Sequence, residues 1–404
     1  MKQKNVIGVS ILVAALGYFV DIYDLILFSI VRIKSLKGIG VLDADLLSQG
    51  VYLLNMQMIG MLLGGILWGI LGDKKGRLSV LFGSIFLYSA ANIANSFVQT
   101  VPVYALLRFV AGIGLAGELG AGITLVSEVM PKETRGYGTM IVATIGILGA
   151  VAAAMVGDIF DWRVAYQVGG GMGITLLLLR IGVYESGLFD AVKKSKQVKR
   201  GSFSTIFRTP ANALKYGCCI LIGIPIWFVI GILITFSPEF GKALGMSAIP
   251  DPGKAVMFAY IGLALGDLVS GSLAQFLKSR KKIAKCFIFL TALFTVLYLW
   301  NAHASLGVFY LNCAALGFSV GYWAVFVTIA SEQFGTNIRA TVTTTVPNFV
   351  RGGVVPLTFA FQALKPGFNI LGSAAIVGGV CLLISLAAIG VLEETHSKDL
   401  DYIE

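Results

Sequence analysis

Six ionisable residues stand inside long apolar runs: Asp21, Asp24, Arg108, Glu118, Asp267 and Arg351. A charge at the centre of a bilayer costs at least about 2.5–3.5 kcal/mol on insertion scales, so each needs a partner, a proton or a task. Asp21 and Asp24 are three residues apart and share one helix face. At about 1.5 Å of rise per residue, Asp24 and Arg108 both fall roughly 10 Å beneath the same surface, and a pair is expected there. Asp267 and Arg351 reach mid-depth from opposite ends of their runs, which allows a second pair. A carboxyl beside a guanidinium stays ionised, whereas one parted from it in an apolar crevice takes up a proton. Each pKa unit is worth about 1.4 kcal/mol, enough to link protonation to a change of shape. The plainer alternative is structural pairing with no proton moved.

The elements that hold these residues are apolar helices. The chain has 404 residues, 57% hydrophobic and 13% charged, with a mean hydropathy of +0.85. That balance excludes a soluble globule and fits a polytopic membrane protein. Apolar stretches fall near 5–32, 49–71, 78–98, 102–130, 137–160, 163–184, 215–238, 254–277, 284–301, 305–333, 339–362 and 369–392. Each approaches the roughly 20 residues a spanning helix needs. The reading is an all-α membrane protein of twelve helices: a bundle over residues 1–184, a basic linker over 185–214 and a second bundle over 215–404. The net charge of +10 is concentrated in two loops, around Lys193–Lys215 and Lys278–Lys285, on the side that carries both termini. By the positive-inside rule that side is cytoplasmic, and nucleic-acid binding is not indicated. Met1 to Lys4 leads into an uncleaved first helix with no small-residue cleavage site. The five cysteines lie in apolar stretches without metal or disulfide spacing.

Between the second and third stretches, Gly69, Gly72, Asp73, Gly76 and Arg77 space a short basic loop. Glycines let two helix ends approach closely. The pattern resembles the signature loop of the major facilitator superfamily, a large class of secondary transporters. Related pieces recur at Ser279–Lys282 (with Ser279 where an aspartate is expected), at Glu128 with Arg135, at Glu332 with Arg339, at Glu185 and at Glu394. Together they resemble the cytoplasmic charge network of the sugar-porter-like branch, which implies an inner gate. Residues 17–25, with Asp21 and Asp24, look like the first helix of phosphate:proton symporters. Residues 108–118 look like the fourth helix of phosphate and metabolite:proton symporters, and Glu118 favours the metabolite group. The resemblance implies that Asp24 takes the proton and Arg108 responds, with Asp21 and Glu118 as companions.

Hexose carriers show glutamines on helices 5 and 7, which this chain lacks, and Gly231 replaces the aspartate phosphate carriers show after the helix 7 tryptophan. The expected cavity has aromatic walls (Tyr23, Trp227, Tyr322, Trp323), polar spots (Thr144, Asn348), and Arg351 with Asp267. Arg351 suits a carboxylate or phosphate through its fork of donors. The leading expectation is proton-coupled symport of a small anionic or polar metabolite by a monomer in a bacterial inner membrane. A rival is a cation carrier for amines, drugs or divalent metals, built on Asp21, Asp24 and Glu118; a transport-dead receptor is a third. The Gly112, Gly114, Gly117 spacing matches a dinucleotide motif but lies within an apolar helix, not at a strand-to-helix turn. No cofactor, resident metal or enzymatic chemistry is expected, and neither His303 nor His396 is placed for catalysis.

Overall fold

The protein is described by a computed structural model covering residues 2–75, 77–118, 135–185 and 203–396. Fourteen α-helices are traced: α1 Lys2–Gly38, α2 Leu46–Lys75, α3 Arg77–Asn95, α4 Val101–Leu115, α5 Arg135–Ile159, α6 Trp162–Glu185, α7 Pro210–Phe228, α8 Ser237–Ala243, α9 Pro252–Phe276, α10 Arg280–Trp300, α11 Leu306–Ser319, α12 Trp323–Glu332, α13 Thr336–Gly352 and α14 Val354–Val391. No strand occurs among the described residues. The helices account for twelve membrane crossings. Helices α11 and α12 form one crossing, interrupted near Gly321. The apolar run Thr341–Val391 is 51 residues long and makes two crossings, bent at Asn369 (φ 52°, ψ −175°). There the Asn369 side chain accepts the amides of Leu371 and Gly372, capping the second segment.

Helix starts follow the local sequence. Side chains of Thr209, Asp251, Ser279 and Ser305 accept amides three residues on, at 3.2, 2.8, 3.3 and 3.4 Å, and prolines occupy first-turn positions of α4, α7, α8 and α9. Helix α7 loosens after Pro225 into a π-helical segment, Val229–Ile234, as expected where a proline removes a donor.

Packing gathers the first six crossings and the last six into separate groups. In the first, α1 packs on α5, α2 on α4 and α3 on α6; in the second, α9 packs on α11 and α7 on α14. The groups meet where α2 lies on α13 and α5 on α9. Gly112 shows why the sequence permits this: a Cβ there would fall 2.1 Å from the Gln57 carbonyl, so only glycine lets α2 and α4 touch backbone to backbone.

The glycine-spaced loop is shorter than expected, since α2 continues through Lys75 and α3 begins at Arg77. Gly69 faces Thr345 of α13 across the two groups. Gly76 and Glu128 lie outside the described residues, as do the side chains at Gly72, Asp73, Arg77, Arg135 and Glu185.

Candidate functional site

At the centre of the molecule, Asp21 of α1 meets Arg351 of α13, with Oδ2 3.9 Å from Nη2 and both side chains at most 1% exposed. This contact joins the two helix groups. Arg351 Nη1 donates to Asn348 Oδ1 at 3.4 Å, and its guanidinium stacks 5.6 Å from the Trp323 ring centroid. Asn348 in turn donates to the carbonyl of Ala116, the residue that caps α4, at 2.9 Å, crossing back to the first group. Neither Asp21 oxygen nor Arg351 Nε has a hydrogen-bond partner among the described residues. Within electrostatic range of the pair stand Tyr18 of α1, beside Trp323, and Tyr260 of α9. A Cβ on Gly146 would lie 2.0 Å from the Tyr18 ring, so α5 makes room for that ring by carrying glycine there.

Two expected pairs are rearranged. Asp267 does not pair with Arg351; its Oδ1 accepts the Ala324 amide at 3.1 Å, at the break before α12, and Arg351 turns to Asp21 instead. Arg108 does not form an ion pair with Asp24. Its Nη2 donates to Gln57 Oε1, and its guanidinium lies over Phe28 and Tyr166, at 5.0 and 5.9 Å from their centroids. Asp24 is fully buried but points toward α3 and α6, beside Asn92 and against Gly169, where a Cβ would fall 2.1 Å from its Oδ1. The close α2–α4 contact at Gly112 delivers Gln57 to Arg108 first.

Glu118 also has a different partner from those expected. Arg180 of α6 holds it with two hydrogen bonds, at 3.1 and 2.5 Å, and donates to the Val13 carbonyl at 3.2 Å. A Cβ on Gly17 would lie 2.0 Å from both charged groups. Arg180 is the functional-site neighbour that sequence reasoning missed, although a lone arginine after Leu176–Leu179 signals it. Tyr23 and Tyr322 are not free cavity walls: their hydroxyls donate to the Ala165 and Ile222 carbonyls at 3.0 and 2.9 Å, each within its own group. Trp227 is buried on α7 and Thr144 half-buried on α5.

Both ends of the molecule carry charge contacts. Opposite the basic loops, Arg32 of α1 bridges to Glu239 of α8 at 2.7 Å and donates to the Leu46 and Thr235 carbonyls. Thr235 donates to Ser29 at 3.0 Å, and Thr358 to Asn55 at 2.7 Å. These bonds join the two groups at that end. At the basic end, Arg280 pairs with Glu332, and Arg339 donates to the Ser331 and Phe334 carbonyls. Glu394 accepts from the Ser279 hydroxyl and from the amides of Arg280 and Lys281. It thus supplies, at the α10 N-terminus, the acid that Ser279 lacks. Burial alone would raise the Glu394 carboxyl, but these donors outweigh it and hold it below the usual carboxylate range.

No group of three or more metal-ligating side chains occurs among the described residues. Residues 5–354 match the Major Facilitator Superfamily. The chain is 26% identical to a putative metabolite transport protein of Haemophilus influenzae, over 96% of each chain. It is 25% identical to the niacin transporter of Acinetobacter baylyi, over 97% of this chain and 95% of that one. It is 27% identical to the 3-(3-hydroxy-phenyl)propionate transporter of Escherichia coli, over 86% and 85%. Its fold is similar to that of a D-xylose-proton symporter, with a TM-score of 0.73 at 17% identity, covering 96% of this chain and 99% of that one. The chain therefore belongs to the major facilitator superfamily, as a multi-pass membrane transporter of small molecules and not an enzyme.

Proposed function

We infer that this transporter carries a small organic carboxylate together with a proton, by alternating access between its two six-helix groups. The observation that carries this reading is Arg351: a fully buried guanidinium on the contact between the groups, stacked on Trp323 with Tyr18 and Tyr260 in its electrostatic range, and with Nε unpartnered among the described residues. A buried cation with spare donors suits a planar carboxylate, and the rings around it suit an aromatic or unsaturated body. Niacin and 3-(3-hydroxyphenyl)propionate, named for two relatives, are carboxylic acids of that kind. Proton coupling draws on the two acids of α1, both fully buried: Asp21, whose oxygens have no hydrogen bond among the described residues, and Asp24, beside Asn92.

The cation-carrier reading has less support, because its three carboxylates do not converge. Asp21 faces Arg351, Asp24 faces α3 and α6, and Glu118 is neutralised by Arg180. The positive-inside rule favours the cytoplasm for the end that carries the basic loops and both termini, and the bacterial relatives favour an inner membrane. Residues 1–184 and 215–404 act as the two moving bodies of a monomer joined by the linker.

The test is flux in proteoliposomes. An acid-outside gradient should drive accumulation of labelled nicotinate or 3-(3-hydroxyphenyl)propionate, and a protonophore should collapse it. Failure of both acids and of a wider carboxylate panel, together with acid-inside expulsion of organic cations, would replace this reading by the rival.

A further inference from the structure

We propose that Asp21 is a built-in competitor for the substrate: its carboxylate and the substrate's carboxylate are alternative occupants of the Arg351 guanidinium, and a proton on Asp21 frees that guanidinium for substrate. This rests on the carboxylate reading above and moves the coupling acid from Asp24 to Asp21.

The geometry is that of a loosely held pair. At 3.9 Å, Asp21 is close enough to balance the charge of Arg351 but too far to hydrogen-bond, and it leaves both its own oxygens and Arg351 Nε without partners. An optimised structural pair closes that gap, as Arg180 and Glu118 do with two bonds. Arg351 and Asp21 remain unsatisfied while being as deeply buried, which is costly unless a ligand completes them in another state.

Charge balance then enforces coupling. In the empty carrier, ionised Asp21 neutralises Arg351. In the loaded carrier, protonated Asp21 is neutral and the substrate anion neutralises Arg351. With the proton alone, Arg351 is uncompensated. With substrate alone, two carboxylates face one cation. An uncompensated charge at a closing, water-poor interface is strongly disfavoured, so only the empty and doubly loaded forms pass through occlusion. The contact bridges α1 and α13, so the same exchange is felt by both moving groups.

Asp21 is faced by few other charged groups. On its own helix stand Tyr18 and Asp24; just beyond α4 stands Glu118, held by Arg180 of α6; α9 carries Tyr260 and, beyond Tyr18, Asp267; α13 carries Arg351. Helices α2 and α5 bring Gln57 and Gly146 toward this region, and neither titrates. Asp24 and Asp267 are the competing homes for the proton.

The experiment is calorimetric binding to purified full-length protein at several pH values and in buffers of different ionisation enthalpy. The probes are nicotinate, benzoate and 3-(3-hydroxyphenyl)propionate. Wild type should take up about one proton per bound anion, and its Kd should rise about tenfold per pH unit above the titration of Asp21. Asp21→Asn should bind at least as tightly, with no proton uptake and a flat pH profile, and should retain counterflow while losing proton-driven accumulation. Arg351→Gln should lose binding. Thermal melting checks that each variant folds, and the wild-type pH slope stands whether or not Asp21→Asn does. Proton uptake that persists in Asp21→Asn but vanishes in Asp24→Asn or Asp267→Asn would overturn the assignment while leaving carboxylate symport intact. No binding of any of these anions to wild type would remove the function and the inference together. Tight binding by Arg351→Gln would show that the carboxylate sits elsewhere.

Discussion

Glu239→Gln should open the end of the transporter opposite its basic loops. Arg32 is fully buried and Glu239 is 18% exposed, with 2.7 Å between them. At that distance an effective dielectric of about 20 gives an attraction of about 6 kcal/mol, most of it offset by the desolvation of Arg32. The neutral amide keeps the shape but loses a hydrogen bond to a charged group, worth about 1.5–3 kcal/mol. Arg32 retains the Leu46 and Thr235 carbonyls and the Phe236 ring, 4.8 Å from its guanidinium. A net loss of about 2 kcal/mol remains, which shifts the closed-to-open ratio about thirtyfold. Spin labels at Leu42 and Ile249, both exposed at that end, with Cys286 replaced by serine, would read this as a longer-distance population by electron–electron double resonance. The swap Arg32→Glu with Glu239→Arg should recover part of the short distance. An unchanged distance distribution in Glu239→Gln would mean that this pair does not hold the end shut.

Three further outcomes follow from contacts within one helix group. Glu118→Gln leaves Arg180 buried without its counter-charge and should cost about 3–5 kcal/mol, read as a lower melting temperature in detergent; Glu118→Leu with Arg180→Leu should restore most of it, and equal melting of the single variant and wild type would refute the pairing. Gly146→Ala drives a Cβ into the Tyr18 ring at an overpacking cost of about 1–3 kcal/mol, so nicotinate affinity should fall, whereas Gly171→Ala, with nothing within 4 Å, should leave affinity unchanged. The Glu394 carboxyl is held below its ordinary value, so its contribution to the α10 N-terminus is complete above that ordinary value and lost as pH falls through the depressed one; hydrogen exchange at Arg280 and Lys281 should accelerate in acid for wild type but be pH-insensitive, beyond intrinsic exchange, in Glu394→Gln.

The sequence revealed depth better than direction. Counting residues along apolar runs put Asp24 and Arg108 at one level. It could not show that Asp24 turns toward α3 and α6, because azimuth depends on which neighbours approach closest. Trp323, Asn348 and Arg351 were legible as one site, since an arginine with an asparagine three residues before it must share a face. The direction of the tyrosines was equally hidden. Tyr23 and Tyr322 bond backbone carbonyls, while Tyr18 and Tyr260 lie in electrostatic range of the arginine. Each residue step rotates a helix by about 100°, so tyrosines five residues apart, such as Tyr18 and Tyr23, can serve different neighbours. Arg32 escaped notice because it sits at the end of its apolar run, where a cation looks solvated; its partner lies 207 residues away. The substitution of serine at 279 looked like a decayed motif, and only the fold brings Glu394 to complete it.

The charge contacts divide by what they join, and the division predicts which variants will be unstable and which will be stalled. Glu118–Arg180, Arg280–Glu332 and the Glu394 cap lie within one helix group. A rigid-body rock leaves them untouched, so their loss is paid in melting temperature with the conformational balance unchanged. Asp21–Arg351 and Arg32–Glu239 cross between the groups, and any exposure of the centre from the far side must part the second and strain the first. Their geometries differ in the sense this requires. The outer pair is tight at 2.7 Å and partly wet, so it can re-form after each cycle; the central pair is loose at 3.9 Å and dry, so it yields to a better anion. Were the central pair as close as Glu118 and Arg180, the closed form would be deeper by several kcal/mol and turnover slower by orders of magnitude.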